Sequence, residues 1–273
     1  MKNLKMAVAF TQITPNRLNG SQISKYRKYF ANWFLPLCAI YYLFLLYYNC
    51  THIFNNLDKM THAGIPDIKN AFRKCISFLN CILQVVVYFS ININNILTYL
   101  LTTKSPLVKN VVLPYEKILE KNFLSVVFPL SWSVCTLFWY VYYLDRELIY
   151  PKEVEDLFAP AWYNHGLHTM PVVIVLLHLA LVQPKYTPLP MTTAMVVQCT
   201  IHALYLVMLS YYRIIDGHWL YDFLDLYTYT LGVMVATFTL YVLIIPCLFV
   251  WLGYALHFEI ERQCSVIMRS RVI

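Results

Sequence analysis

Six long apolar stretches constrain this chain more than any other feature of its sequence. They cover residues 30–50, 73–102, 122–144, 165–183, 190–213 and 227–256. Each reaches or exceeds the length of about 20 residues that a helix needs to cross about 30 Å of hydrocarbon, and the second and sixth are long enough to tilt or bend. Apolar residues make up 59% of the chain and charged residues only 13%, which excludes an ordinary soluble domain. The sequence therefore predicts an all-α membrane protein, a bundle of about six transmembrane helices.

The distribution of Lys and Arg predicts the orientation of this bundle. If the N-terminus is cytoplasmic, the segments on that side hold 14 of the 21 Lys and Arg residues but only 4 of the 14 acidic residues. We therefore expect both termini to be cytoplasmic and no removable signal peptide. The predicted organisation is a cytoplasmic N-terminal tail over 1–29, one transmembrane domain over 30–256 and a short C-terminal tail over 257–273.

Charged and histidine residues concentrate between Asp145 and Thr169, a segment that also contains Arg146, His165 and His168. Polar groups are expensive to place near lipid, so this cluster is a candidate functional site. In the predicted topology, Ser77 and His168 both lie near the non-cytoplasmic ends of their spans. The 214–226 loop, which contains Asp222, opens on the same face. The sequence therefore predicts a polar pocket in the outer leaflet.

Ser77 and His168 are the candidate catalytic pair. A hydroxyl group becomes a nucleophile when a base removes its proton, and the unperturbed pKa of histidine suits that role near neutral pH. Other serines lie at different depths: Ser131 and Ser133 fall near the middle of the third span. Depth in the membrane therefore selects Ser77 as the partner of His168.

The second span carries a polar stripe. Its members recur at spacings of three and four residues, which puts them on one helical face. They are Ser77, Asn80, Gln84, Tyr88, Asn92 and Asn95. The stripe either lines a polar cavity or holds neighbouring helices together through hydrogen bonds. His165, one turn before His168, either caps or lines the pocket in a neutral, hydrogen-bonded role or takes part directly in the chemistry.

Other classes of site have weaker support. His165, His168, His218 and Asp222 could in principle bind a metal, but the chain lacks the several histidine boxes of membrane di-iron desaturases. We therefore predict neither a metal nor another cofactor.

No Gly-x-Ser-x-Gly elbow occurs, which argues against an α/β-hydrolase. Six of the eight cysteines fall in the predicted spans, so no disulfide framework is expected. Membrane topology explains the basic N-terminal tail, so no nucleic-acid partner is predicted.

Three runs of sequence resemble one family of membrane proteins. They are Tyr143–Pro151 (YLDRELIYP), Trp162–Thr169 (WYNHGLHT) and Gly217–Leu224 (GHWLYDFL). These runs are similar to the androgen-induced protein family, which also includes the androgen-dependent regulator of tissue factor pathway inhibitor. The resemblance extends from about residue 70 to residue 235. It implies a multipass membrane hydrolase that cleaves fatty acid esters of hydroxy fatty acids with a threonine nucleophile and a histidine.

The site residues that the family resemblance implies can be matched to this sequence one by one, and two of them differ. The family histidine is the second of the Asn-His-Gly-x-His motif, here His168. Alignment on Gln84 puts Ser77 at the position of the family threonine and Asn80 at that of a family acidic residue. Serine keeps the hydroxyl group, whereas Asn80 removes a carboxylate. A retuned enzyme and an inactive family member are both compatible with these changes.

The predicted mechanism assigns a role to each residue. Ser77 attacks the ester carbonyl, and His168 acts as base and then as acid. Asn80 or Gln84 donates to the oxyanion, and Asp145 or Asp222 orients His168. These assignments leave Arg146 to meet the carboxylate of the substrate.

The predicted partners are a lipid ester substrate and the bilayer. We expect an integral multipass protein of the plasma membrane or endoplasmic reticulum, and the sequence predicts no particular oligomeric state. The alternative function is that of a non-catalytic multipass membrane protein that binds a lipid or takes part in signalling.

Overall fold

A computed structural model gives the fold of the chain. It describes residues 20–56, 74–101, 105–150, 152, 155, 159–182, 184–217, 219–221 and 223–269. The α-helices are α1 (Gly20–Tyr48), α2 (Ile76–Leu101), α3 (Leu113–Asn122), α4 (Phe128–Leu144), α5 (Ala161–His168), α6 (Met170–Leu181), α7 (Met191–Asp216), α8 (Phe223–Tyr227), α9 (Leu231–Thr239) and α10 (Ile245–Arg269). Short π-helical segments at Asn49–Ile53, Val108–Val112, Phe123–Val127 and Leu240–Ile244 extend or join them. No strand occurs within these ranges, and the prediction of an all-α protein is confirmed.

The prediction of about six membrane spans is also confirmed. Among the described residues, five continuous helical stretches are long and apolar enough to cross a membrane, and the bent pair α5–α6 makes a sixth when it is counted as one span. The continuous stretches are Tyr26–Asn56, Ile76–Leu101, Val108–Leu144, Met191–Asp216 and Leu231–Cys264. The orientation of the termini stays a prediction.

The third span differs most from its predicted bounds. It begins at Val108 rather than at residue 122, because π-helical segments and the polar helix α3 continue directly into α4. Helix α3 carries Glu116 and Lys121, which lower the hydropathy of this stretch. Helix α1 likewise begins before residue 30, and α10 continues beyond residue 256.

The outer surface of the bundle is apolar. Large side chains on different spans are more than half exposed, among them Trp33 at 64%, Val196 at 67% and Trp251 at 53%. An exposed apolar surface of this extent suits contact with lipid rather than with water. The chain is therefore an integral multipass membrane protein.

A bend brings His168 to a helix end. Helix α5 ends at His168, and α6 follows at an angle of 44°. Pro171 lies in the first turn of α6, where its missing N–H group costs no helical hydrogen bond. Thr169, at the bend, accepts a hydrogen bond from Nε1 of Trp139 in α4 (3.1 Å), which fixes the bend against the neighbouring helix.

A buried aromatic core supports the region around this bend. It contains Tyr42 of α1, Tyr88 of α2, Phe138 of α4 and Tyr163 of α5, each at most 5% exposed. The rings of Tyr42 and Tyr88 stack with their centroids 5.8 Å apart, which joins α1 to α2. The hydroxyl group of Tyr41 in α1 donates to the carbonyl oxygen of Gly166 in α5 (3.1 Å). Helix α5 is thus held by the first, second and third spans together.

Candidate functional site

A large apolar cavity lies between the spans. Its volume is about 430 Å³, within the range of small-molecule sites. Helices α2, α4, α5, α7 and α9 contribute to its walls, together with the π-helical segment Leu240–Ile244. Tyr140 and Leu240 line the cavity and are 55% and 47% exposed. The cavity is partly open, and at these two residues its lining reaches the apolar outer surface of the bundle.

Ser77 and His168 both line this cavity. Ser77 lies in the first turn of α2 and is partly buried, whereas His168 ends α5 and is only 7% exposed. The two candidates come from the second and fourth spans, which the sequence predicts to meet at similar depth. The fold thus brings them into one cavity, although among the described residues no hydrogen bond joins the two side chains.

The hydrogen bonds of His168 define its tautomer. Its Nδ1 atom lies 3.0 Å from the backbone carbonyl oxygen of Asn164 and 2.8 Å from the side-chain oxygen of the same residue. A carbonyl oxygen only accepts, so Nδ1 carries the hydrogen and Nε2 has a free lone pair. Such a neutral imidazole can take a proton at Nε2.

Two partners of His168 were missed by the sequence analysis. Asn164, four residues earlier on the same helix, accepts the hydrogen bond from Nδ1 and so orients the ring. Phe138 of α4 stacks on the imidazole, with centroids 3.5 Å apart and an interplanar angle of 11°. The four-residue spacing in the Asn-His-Gly-x-His motif could have indicated Asn164. Phe138 has no signal in the local sequence, because its contact depends on how α4 packs against α5.

Asn80 and Gln84 lie away from the cavity. Both are at most 1% exposed, and neither contributes to the cavity wall. The Nε2 atom of Gln84 donates to Oγ of Ser131 (2.8 Å) and to Oδ1 of Asn80 (3.3 Å). The bond to Ser131 joins α2 to α4, whereas the bond to Asn80 lies within α2. Neither amide lines the cavity that holds Ser77, and their oxyanion role stays a prediction. The alternative interpretation, that the stripe holds helices together, describes this pair.

The charged residues after α4 are paired with one another. Asp145 is exposed and accepts a hydrogen bond from the backbone N–H of Glu147 (3.0 Å), so it does not orient His168. Arg146 donates from Nη2 to a carboxylate oxygen of Glu155 (2.7 Å), and its Nε lies 3.6 Å from a carboxylate oxygen of Glu147. The guanidinium group that was predicted to meet a substrate carboxylate thus already has carboxylate partners.

Of the remaining candidates, one does not line the cavity and two lie outside the residues that the structure describes. His165 is exposed, does not line the cavity, and its Nδ1 lies 3.0 Å from Oγ1 of Thr169. Asp222 and His218 lie outside the described residues. Within the described ranges, no group of three or more His, Cys, Asp and Glu side chains could hold a metal ion.

Two tyrosines of the cavity wall were also not predicted from the sequence. Tyr205 of α7 and Tyr221 of the following loop line the cavity beside Ser77, and their hydroxyl oxygens are 2.9 Å apart. Tyr221 belongs to the Gly217–Leu224 run, whose resemblance to the family was noted without a role for this residue. The pairing itself needs the folded helices, because 16 residues separate the two tyrosines along the chain.

Known proteins similar to this chain include androgen-regulated proteins. The human androgen-induced gene 1 protein is 29% identical over 154 residues, which cover 56% of this chain and 63% of that protein. The androgen-dependent TFPI-regulating protein of Mesocricetus auratus is 29% identical over 148 residues, 54% of this chain and 60% of that protein. Its human counterpart is 25% identical over 185 residues, 67% of this chain and 76% of that protein. The chain thus spans about three fifths of the length of the first two relatives.

No solved structure matches the chain. A family model described as FAR-17a/AIG1-like protein matches residues 30–256, which include every described membrane-spanning helix in whole or in large part. The match also covers the cavity with Ser77 and His168. Because it extends over most of the sequence, the chain belongs to the FAR-17a/AIG1-like protein family.

Proposed function

We propose that this protein is a membrane-embedded hydrolase of fatty acid esters of hydroxy fatty acids, with Ser77 as nucleophile and His168 as base. The observation that carries the proposal is the presence of both side chains in the wall of one apolar cavity. The substrate class is the one implied by the sequence resemblance. An apolar cavity that opens on the apolar surface of the bundle supports a lipid, because the acyl chains can stay in hydrocarbon while the ester enters.

The tautomer of His168 supports its role as the base. Its Nδ1–H donates to Asn164, so Nε2 is free to take the proton from the Ser77 hydroxyl as Oγ attacks the ester carbonyl. The protonated ring then gives this proton to the departing hydroxy fatty acid. Water, deprotonated by the same Nε2, hydrolyses the acyl-serine and restores the serine. The hydrogen bond between Ser77 and His168 forms when substrate is bound, because catalytic hydrogen bonds often tighten only in the substrate complex.

Cys75 competes poorly with Ser77 as the nucleophile. Its side chain also borders the cavity, two residues before Ser77. Its thiol borders an apolar cavity, and apolar surroundings disfavour the charged thiolate that a cysteine nucleophile needs. A hydroxyl group needs no prior ionisation when a histidine base is available. The proposal therefore assigns the attack to Ser77.

The experiment measures the release of free hydroxy fatty acid from a branched fatty ester. Membranes with the wild-type protein are compared with membranes that hold matched amounts of Ser77→Ala, His168→Ala and Ser133→Ala. Ser133 is the control, because its hydroxyl is buried, has no hydrogen-bond partner among the described residues and does not line the cavity. Loss of a catalytic base or nucleophile should lower the rate at least about 100-fold. Ser133→Ala should keep wild-type activity.

Two results would contradict the proposal in different ways. Full activity of Ser77→Ala would exclude this residue as the nucleophile. The wild-type protein could instead bind the ester but cleave neither it nor any other ester tried. That result would favour the alternative of a non-catalytic lipid-binding membrane protein. The apolar cavity would then be the binding site of that lipid.

A further inference from the structure

A chain of hydrogen bonds ties the start of helix α2 to α7 and the loop that follows it. The backbone N–H of Ile76 donates to the hydroxyl oxygen of Tyr221 (3.0 Å). The hydroxyl oxygens of Tyr221 and Tyr205 are 2.9 Å apart, and that of Tyr205 lies 3.1 Å from the carbonyl oxygen of Lys74. The chain thus begins and ends on the two residues that flank Cys75. The mechanism given above uses none of these bonds.

The direction of every bond in this chain follows from its two ends. The carbonyl oxygen of Lys74 only accepts, so the single hydroxyl proton of Tyr205 points to it. An amide N–H only donates, so Tyr221 accepts from Ile76. The proton between the two phenol oxygens therefore belongs to Tyr221, which donates to Tyr205. Burial raises the pKa of the Tyr221 phenol well above its ordinary value, which keeps this proton in place.

The segment that these bonds hold is the one that carries Ser77. The first hydrogen bond of the α2 helix runs from the N–H of Leu79 to the carbonyl oxygen of Cys75 (3.1 Å), so Ser77 lies in the first turn. The first N–H groups of a helix lack partners within the helix, and helix ends fray. A nucleophile in such a turn needs an external contact to keep a fixed position. Tyr221 supplies one to the residue directly before Ser77.

We propose that Tyr221 is a positioning residue for Ser77, with Tyr205 as its support, and that their hydroxyl groups fix the nucleophile relative to His168. This inference rests on the proposed function of Ser77. His168 is held from the other side of the cavity, by Asn164 and Phe138. The two members of the pair are therefore positioned by separate sets of contacts. A shift of about 1 Å in the nucleophile is enough to cost roughly 100-fold in rate.

The direction of the bonds distinguishes the two tyrosines. Tyr221→Phe keeps the ring but removes the hydroxyl oxygen that accepts the Ile76 N–H at 3.0 Å. Tyr205→Phe leaves that bond intact and removes the two bonds of the Tyr205 hydroxyl, to Tyr221 and to the carbonyl oxygen of Lys74. Tyr221→Phe should therefore have the larger effect. Because both changes remove the same bond between the phenol oxygens, the double variant should lose less than the product of the two single losses.

The test is the rate at which a serine-directed fluorophosphonate probe labels Ser77 in membranes that hold the full-length protein. We expect Tyr221→Phe to slow labelling about tenfold or more and to lower kcat for the ester similarly, with KM within about twofold of the wild type. Tyr254→Phe is the control. Tyr254 is a buried tyrosine of α10, and its hydroxyl donates to the carbonyl oxygen of Leu189 in the segment before α7. Neither residue lines the cavity. Tyr254→Phe should lower thermal stability comparably and leave the labelling rate unchanged.

The outcomes separate this inference from the function on which it rests. If Ser77→Ala abolishes labelling but Tyr221→Phe labels at the wild-type rate, the positioning role is overturned and the nucleophile stands. Equal slowing by Tyr221→Phe and Tyr254→Phe also overturns it, because the effect is then one of general destabilisation. If the wild type and Ser77→Ala are labelled alike, the proposed function fails, and the positioning role fails with it.

Discussion

The imidazole of His168 donates its Nδ1 hydrogen to the backbone carbonyl oxygen of Asn164, 3.0 Å away. The side-chain oxygen of Asn164 lies 2.8 Å from the same nitrogen, so two neutral oxygens of one residue hold the ring. No charged group is needed to select this tautomer, because either carbonyl oxygen requires a hydrogen on Nδ1. The absence of a family carboxylate at Asn80 therefore leaves the orientation of His168 intact.

Asn164→Ala should lower kcat for ester hydrolysis about tenfold, with little change in KM. The substitution removes the 2.8 Å side-chain bond but keeps the backbone carbonyl, so the ring loses one of its two acceptors. Asn164→Asp keeps an acceptor oxygen and should retain most of the activity. Steady-state kinetics of the two variants checks this. A loss in Asn164→Ala as large as that in His168→Ala would show that the backbone carbonyl does not hold the ring.

The sequence predicts which residues reach the cavity better than it predicts their partners. Ser77 and His168 can be found because span topology fixes their depth, and depth depends only on the position along two apolar stretches. The side of a helix that faces the cavity depends on packing. Asn80 and Gln84 follow Ser77 at helical spacing, yet the Gln84 amide donates to Ser131 and to Asn80, and neither residue lines the cavity.

The spans themselves were predictable for the same reason. Hydropathy marks the apolar helices, but it misses the polar extension of the third span from Val108, because Glu116 and Lys121 interrupt the apolar stretch. The Tyr205–Tyr221 pair and the stacking of Phe138 on His168 bring together distant parts of the chain. Such contacts are set by the helix packing, which a single sequence does not specify.

Gln84→Leu should destabilise the protein without slowing the reaction of Ser77. The change removes the donor to Ser131 and Asn80 in a fully buried site, which costs roughly 1–3 kcal/mol of the free energy of unfolding. Thermal unfolding in detergent and fluorophosphonate labelling measure the two effects. If Gln84 instead donated to the oxyanion, its loss would slow labelling and hydrolysis about 100-fold or more.

A matched variant tests whether the buried amides act as a pair. In Asn80→Leu with Gln84→Leu, both polar partners are replaced by apolar side chains, so Oδ1 of Asn80 is no longer left without its donor. The double variant should therefore be less destabilised than the sum of the two single variants. Additive losses would show that the two amides contribute separately.

Gly253→Ala should destabilise the packing of α10 against α4. A Cβ atom at this position would lie 2.8 Å from Cδ1 of Phe128, whose side chain is fully buried. One of the two helices must then move, which costs roughly 1–3 kcal/mol. Gly232→Ala is the control, because its Cβ would meet no atom within 4 Å. Thermal unfolding in detergent should show a lower midpoint for Gly253→Ala alone, and equal midpoints would contradict the close approach.

Arg146→Gln should not weaken the binding of the substrate carboxylate. The guanidinium group is already engaged by Glu155 at 2.7 Å and by the carbonyl oxygen of Tyr150 at 3.4 Å. The measurement is the KM for a hydroxy fatty acid ester with a free carboxylate, compared with the KM for its methyl ester. We expect the ratio of the two values to change by less than about twofold in Arg146→Gln. A direct contact with the substrate carboxylate would instead raise the ratio roughly tenfold or more, because a hydrogen bond to a charged group is lost.

Glu155→Gln completes this comparison, because it breaks the same ion pair by removing the carboxylate instead of the guanidinium group. The substitution leaves the guanidinium group in place with one carboxylate partner fewer. If the site holds no substrate carboxylate, Arg146→Gln and Glu155→Gln should have the same small effect on the KM ratio. If Arg146 instead competes between Glu155 and the substrate, Glu155→Gln should lower the KM of the free acid while Arg146→Gln raises it. Opposite effects in the two variants would therefore show that Arg146 binds the substrate carboxylate. Equal effects would show that Arg146 only stabilises the segment after α4.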